Sequence, residues 1–202
     1  MHAEPLLSEG EIEDLYTGDP GPGKPGLRRS RLWMARWLAR ATGGGDMLEV
    51  GCQSGDFLVA ATRVPEIRAF GMDTNPDAVS RACARGLDVR EGSLEHPCWD
   101  DNSFDVVYLE QVIEHLRDPV AGFLQIRNLL RPGGHLVALT PGYEHLRARI
   151  SGRRWHYYMP PIHLHYYSKR SIDLLCRTIG LSPVNISVMH YHTHLSIHAQ
   201  RV

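Results

Sequence analysis

Between Met47 and Pro141 short apolar runs alternate with stretches whose apolar residues recur at helical spacing. The runs "MLEV", "RAFGMD", "LDV", "FDVVYLE" and "HLVALTP" read as strands. The stretches "GDFLVAATRV", "NPDAVSRACARG" and "DPVAGFLQIRNLLRPGG" read as helices, the second with Pro76 in its first turn and the third stopped by Pro132 and two glycines. Five strands separated by helices imply parallel βαβ units with right-handed crossovers. Short apolar strands also fit a sheet covered on both faces. The expected fold is therefore α/β, a mostly parallel central sheet with helices on both faces.

Outside this block the pattern changes. "LRRSRLWMARWLARAT" is an amphipathic helix with an arginine face, ended by Gly43 to Gly45. Ahead of it, Ser8 to Leu15 predicts a short acidic helix capped by Ser8, with Glu11 three residues on. "GDPGPGKPG", Gly18 to Gly26, can hold neither helix nor strand and reads as a linker or lid. Beyond Pro141, "GYEHLRARISGRRWHYYMPPIHLHYY" is aromatic and basic without a clear period. A helix capped near Ser168 and ending at Gly180 follows, and the alternation in the last 20 or so residues predicts one or two antiparallel edge strands. This divides the chain into residues 1–42, an N-terminal helical lid and linker, and residues 43–202, a ligand-binding domain with an insertion at about 142–168.

Charge and composition narrow the function classes. The 202 residues carry a formal net charge of -1, which speaks against a nucleic-acid coat protein or a polybasic membrane binder. Cys52, Cys83, Cys98 and Cys176 form no CxxC pair and read as reduced thiols of a cytoplasmic protein. The acidic first residues do not resemble a signal peptide, and no apolar run approaches the roughly 20 residues of a membrane span. The expected partners are a small molecule, with no nucleic acid and no membrane, and the expected state is monomer or homodimer.

The candidate chemistry starts at "DMLEVGCQSGDF", where a strand ending at Val50 runs into Gly51, Cys52, Gln53, Ser54 and Gly55. Ligands of such sheets bind beyond the carboxyl ends of the strands. Glycines let a backbone approach a ligand closely, and the helix from about Asp56 offers free N–H groups. One βα unit on, the second strand ends at Asp73, whose carboxylate can accept both hydroxyl hydrogens of a ribose. A dinucleotide turn would place glycines where Gln53 and Asp56 stand, and the G-K-[ST] of a phosphate loop is missing. The pattern fits a nucleoside cofactor without phosphates.

With these segments in order, the chain resembles the class I S-adenosylmethionine-dependent methyltransferases, of the small-molecule type related to the ubiquinone-biosynthesis O-methyltransferases. "LEVGCQSGDF" resembles the family's [DE]-x-G-x-G-x-G turn, with Gln53 at the middle glycine. "GMDTNPDAV", "DNSFDVVYLEQVIEHLRDP" and "IRNLLRPGGHLVALTP" resemble its later elements, and "HLHYYSKRSIDLLCRTIGL" a C-terminal element of its small-molecule members. The resemblance implies a Rossmann-like methyltransferase fold and S-adenosyl-L-methionine as cofactor. It implies that Glu49, Gly51, Cys52, Gln53 and Gly55 line the methionine half, with Leu109 beside them. It puts the ribose on Asp73, the adenine beside Thr74, Ser93 and Leu94, and Tyr16 in a lid over the site.

A methyl acceptor that attacks through oxygen benefits from a base, and His115 after the fourth strand and His163 in the insertion are the candidate catalytic residues. His165 lies on the same side as His163 if that segment is extended. Glu110, Glu114 and His115 resemble a divalent-metal set of some ubiquinone-type relatives, although two solvated carboxylates are the simpler explanation and no metal is assigned. His190, His192 and His194 share one face of a predicted edge strand, which explains them without a ligand shell. Arg147, Arg149, Arg153 and Arg154 suit an anionic acceptor or a solvated loop. Trp155, Tyr157 and Tyr158 suit an aromatic wall or core. The reading is an enzyme that methylates a small molecule at oxygen; its rivals are a non-catalytic module that binds the cofactor, a nicotinamide oxidoreductase, and a methyltransferase of RNA or protein.

Overall fold

The computed structural model describes residues 27–188 and 194–202. The acidic helix, the proline–glycine linker, Tyr16, His190 and His192 lie outside the described residues. In chain order the elements are α1 (Leu27–Thr42), β1 (Gly45–Val50), α2 (Asp56–Ala61), β2 (Ile67–Asp73), α3 (Pro76–Ala84) and β3 (Asp88–Glu91). Then come β4 (Phe104–Glu110), a 3-10 turn (Ile113–His115), α4 (Pro119–Leu129), β5 (Leu130–Pro141) and α5 (Leu146–Ser151). A second 3-10 turn (Gly152–Arg154), α6 (Lys169–Thr178), β6 (Leu181–Val188) and β7 (His194–Arg201) complete it.

The seven strands form one sheet in the order β3-β2-β1-β4-β5-β7-β6. The first five pair in parallel, and β7 runs antiparallel between β5 and β6. Chain order reverses between β1 and β4, which makes their carboxyl ends the place for a ligand. The expected antiparallel edge is present, with the last strand inserted inside the one before it.

Neighbouring strand residues feed opposite layers, as a period of two dictates. Leu48, Val107 and Leu109 join Phe123, Ile126, Ile172 and Ile197 on one face. Met47, Val106 and Tyr108 join Leu38, Leu58 and Ala61 on the other. Each fully buried large aliphatic side chain contributes about 1.5–3 kcal/mol. Ala35, Leu38 and Ala39 of α1 are buried in the second layer, so residues 27–42, grouped with the lid in the sequence reading, belong to the body.

Capping residues fix where helices start. Asn75 Oδ1 accepts the N–H groups of Asp77 and Ala78 ahead of Pro76, and Asp118 Oδ1 accepts that of Ala121 ahead of Pro119. Ser168 and Ser171 close a reciprocal box at the start of α6. These caps place the chain's turns at the carboxyl ends of β2, β4 and β5, where the candidate residues lie.

Candidate functional site

The first half of the site is built from backbone. Gly51 and Cys52 donate their N–H groups to Met72 O at 2.8 and 3.2 Å, stapling the turn after β1 to the end of β2. Gly51 has φ 73, and a Cβ there would meet Val112 Cγ2 at 2.7 Å. Gly55 has φ 77, and its Cβ would collide with Leu87 Cδ1. Both positions therefore need glycine, for conformation and for space.

Asp73 is buried, and both its oxygens are engaged by main chain: Oδ2 accepts Gln53 N–H at 2.7 Å and Oδ1 accepts Asn75 N–H at 2.9 Å. A carboxylate has about four acceptor positions, so two remain for hydroxyls. Gln53 takes φ 49, a left-handed conformation that favours glycine, and it is exposed. A non-glycine residue at this φ carries backbone strain of about 1–2 kcal/mol. Asp56 is held outside the turn by Arg31 at 2.6 Å and Arg85 at 2.8 Å, which joins α1 to α2.

Glu49, the second-last residue of β1, is buried, and its Oε2 has no hydrogen-bond partner among the described residues. Burial, then the charge of Glu110, hold its carboxyl well above the usual range, while Arg31 works in the opposite direction. A buried acceptor without a donor suits a cationic group such as the ammonium of an amino acid. An orphaned acid, a turn without side-chain bulk and a ribose-competent carboxylate together fit S-adenosylmethionine.

The other expected contacts occupy the same end of the sheet. Thr74 is exposed directly after Asp73. Ser93 Oγ accepts the N–H groups of Glu95 and His96, while Gly92 N–H donates to Asp73 O, so the loop after β3 is tied to Asp73. Leu94, Cys52 and Leu109 are buried, Leu94 and Leu109 in one core layer and Cys52 in the other.

The second half is built from side chains. Glu114, in the 3-10 turn after β4, is fully buried; Thr140 donates to its Oε2 at 3.0 Å, and its Oε1 has no partner among the described residues. His115 Nδ1 lies 3.0 Å from Ile162 O, and His163 Nδ1 lies 2.8 Å from Tyr157 O. A carbonyl only accepts, so each Nδ1 carries the proton and each Nε2 presents a lone pair. The rings meet edge to face at 4.8 Å, and donor atoms of Glu114, His115 and His163 all lie within 4.8 Å of one another. Burial pushes the Glu114 carboxyl up to about 7. Burial likewise pushes His115 down to about 4, with the neighbouring His163 adding to the effect and the bond to Ile162 opposing it, and it lowers His163. Near neutral pH the cluster holds two uncharged imidazoles and one carboxyl close to its midpoint.

His115 and His163, separate in sequence, are thus brought together. Glu110 is not part of the cluster: it is exposed and accepts the Tyr108 hydroxyl at 3.1 Å, so the set of Glu110, Glu114 and His115 is replaced by one with His163. His165 is not part of the cluster, and the segment is not extended there. The consecutive N–H groups of Leu164 and His165 both donate to Glu114 O, whereas in a strand they would point opposite ways. Sequence reasoning missed Glu114 as a proton-handling group and missed Gln111. The latter takes φ 59 at the end of β4 and places its side-chain nitrogen 2.6 Å from His194 Nε2, which also lies 2.9 Å from the Tyr157 hydroxyl. The signals available were the "EQVIEH" run after an apolar strand and the histidine-rich end of the chain. Trp155 is buried core, Tyr157 is half-buried beside the cluster, and Tyr158 is exposed.

A parallel sheet with a bare turn and an adjoining acid at its switch point defines a protein that binds a nucleoside cofactor. A family model described as a methyltransferase domain matches residues 27–186. The chain is 35% identical over 128 residues to a Mycolicibacterium smegmatis protein named "Probable S-adenosylmethionine-dependent methyltransferase", covering 58% of this chain and 48% of that one. It is 28% identical over 152 residues to the ubiquinone biosynthesis O-methyltransferase of Cereibacter sphaeroides, covering 69% and 61%. A solved structure from Pyrococcus horikoshii shares the fold with a TM-score of 0.73 at 15% identity, covering 94% of this chain and 99% of that one. The chain belongs to the methyltransferase domain family, and its cofactor is S-adenosyl-L-methionine. It spans about half the length of the mycobacterial relative and less than two thirds of the Cereibacter one. No helix among the described residues is long and apolar enough to cross a membrane.

Proposed function

We propose that this chain moves a methyl group from S-adenosylmethionine to an oxygen of a small-molecule acceptor, with the Glu114–His115–His163 cluster taking the acceptor's proton. The observation that carries this reading is the cluster itself: two imidazoles oriented by carbonyls, each with a ring nitrogen within 4.8 Å of a carboxylate oxygen of buried Glu114, whose Oε1 has no partner among the described residues. When bound, the cofactor supplies a methyl group on a positively charged sulfur, so the protein's tasks are alignment and proton removal. Glu49, the turn from Gly51 to Gly55, and Asp73 would hold it, with Thr74, Ser93 and Leu94 toward the adenine.

Among the three groups, Glu114 and His163 are better matched to neutral pH than His115, whose conjugate acid is too strong to retain a proton there. His163 Nε2 accepts the acceptor's hydroxyl proton, Glu114 stabilises the resulting imidazolium, and His115 packs against it. Oxygen is favoured over nitrogen because a hydroxyl must shed its proton to attack, which gives such a cluster a task. Gln53, the departure from the family's glycine turn, adopts a left-handed φ that glycine takes readily, so it does not by itself favour a non-catalytic module. Four free cysteines support a cytoplasmic location.

The test is transfer of labelled methyl to matched phenol and amine acceptors by the parent, His163→Asn and Glu114→Gln. The expected result is transfer to the phenol, falling by roughly 10²–10⁴ in His163→Asn with cofactor affinity unchanged. Parent-like turnover in both variants, or a preference for the amine, would remove the base. A divalent cation is the other chemistry the same donor set can carry; activity abolished by a chelator and restored by metal would favour it.

A further inference from the structure

The segment between β5 and α6 carries a second feature, unrelated to cofactor binding. From residue 142 to residue 170 there are six Arg or Lys residues (Arg147, Arg149, Arg153, Arg154, Lys169, Arg170) against one acid, Glu144, in a chain whose net charge is -1. Glu144 is already engaged, accepting the Lys169 N–H at 2.8 Å. None of Arg147, Arg149, Arg153 and Arg154 pairs with a carboxylate among the described residues, and all four are exposed.

The short helix α5 sits in this segment with its polarity inverted. Its buried side is Ala148, while Leu146 and Ile150 are 67% and 76% exposed. Residues four apart share one helix face, so the two largest apolar side chains form the outward ridge. At 100° per residue, Arg147 and Arg149 fall on either flank of that ridge. Tyr143, Tyr158 and Met159 of the same segment are also exposed.

We propose that this face docks on a membrane surface bearing anionic headgroups, Leu146 and Ile150 entering the headgroup–acyl boundary and the arginines pairing with phosphates. An apolar ridge flanked by cations, with exposed tyrosines in the same segment, is the arrangement that lies in a bilayer interface. A second copy of the chain would bring like charges together across a self-complementary contact. A nucleic acid would engage the arginines and leave the ridge unused. One six-residue helix is a small anchor for the roughly 800 Å² per partner of a stable protein interface. The chain's overall charge balance, read earlier as excluding a membrane partner, conceals this local excess.

The experiment is flotation of the full chain with vesicles of phosphatidylcholine alone and of phosphatidylcholine mixed with phosphatidylglycerol, at low and high salt. The expected result is binding to the mixed vesicles only, weakened by salt. Affinity should fall roughly tenfold or more in Ile150→Asp and in the double variant Arg153→Glu, Arg154→Glu. Leu174→Asp, which changes an equally exposed apolar residue on α6, should bind like the parent; thermal unfolding establishes that each variant is folded. Equal binding to neutral vesicles, parent-like binding by both patch variants, or an equal loss in Leu174→Asp would overturn the proposal. So would tighter binding to RNA that Ile150→Asp leaves unchanged.

Discussion

The two halves of the site use different materials. The proposed cofactor side is made of main chain: the N–H groups of Gly51 and Cys52 bind Met72 O, and those of Gln53 and Asn75 bind the Asp73 carboxylate. The proposed acceptor side is made of side chains from separate elements, Glu114 and His115 after β4 and His163 from the insertion, joined through carbonyls of the insertion. Backbone geometry tolerates change of side chain wherever φ is preserved, as Gln53 illustrates. A side-chain cluster is specific to its residues and can be retuned one substitution at a time.

The contrast can be broken first at Gly55. Gly55→Val adds a β-branched side chain at φ 77 against Leu87 and should cost several kcal/mol, about 3 or more, seen as a large drop in Tm or in soluble yield. A stable variant with parent cofactor affinity would show that the turn is not space-limited.

Next is the pH dependence of the acceptor side. Glu114 has a folded pKa of about 7, above its ordinary 4.5. Its contribution is fully present below the unfolded value and is lost as pH rises through the folded one. Relative to the parent, Glu114→Gln should therefore gain stability on going from pH 4 to pH 8, by on the order of 2–3 kcal/mol. Equal parent–variant differences at the two pH values would contradict the burial argument.

The histidines have the opposite sign. His115 is held down at about 4, and His163, His135 and His198 are also lowered, so their stabilisation is present above the ordinary 6.5 and lost as pH falls through their folded values. With four such groups against Glu114, the parent's Tm should fall between pH 6.5 and pH 4, and calorimetric scans across that window check it.

The smallest change is on the cofactor side. Gln53→Gly relieves a left-handed residue and should raise Tm by a few degrees, about 2–4 for 1 kcal/mol, with cofactor affinity within about twofold. The gain is reduced by glycine's greater freedom in the unfolded chain.

The sequence made the first of these halves legible and much of the second illegible, for a physical reason. Val50, Gly51, Gly55 and Asp73 owe their positions to strand ends and turns, which hydrophobic periodicity and glycine mark locally. The caps at Asn75, Asp118 and Ser168 are equally local. His163 meets Glu114 only because an aperiodic insertion folds back to the turn after β4, and periodicity says nothing about such a return. The same holds for Gln111 with His194, which requires β7 to enter the sheet between β5 and β6. The left-handed φ of Gln53 was hidden because residue type alone favours glycine there.

On the proposed reading Asp73, held by the N–H groups of Gln53 and Asn75, grips the ribose of the cofactor. Calorimetric titration of S-adenosylhomocysteine into the parent and into Asp73→Ala tests it most directly. The account predicts binding by the parent and affinity roughly tenfold or more weaker in the variant, the loss expected for hydrogen bonds to a charged acceptor. Equal affinity in the two proteins, with both folded, would contradict it.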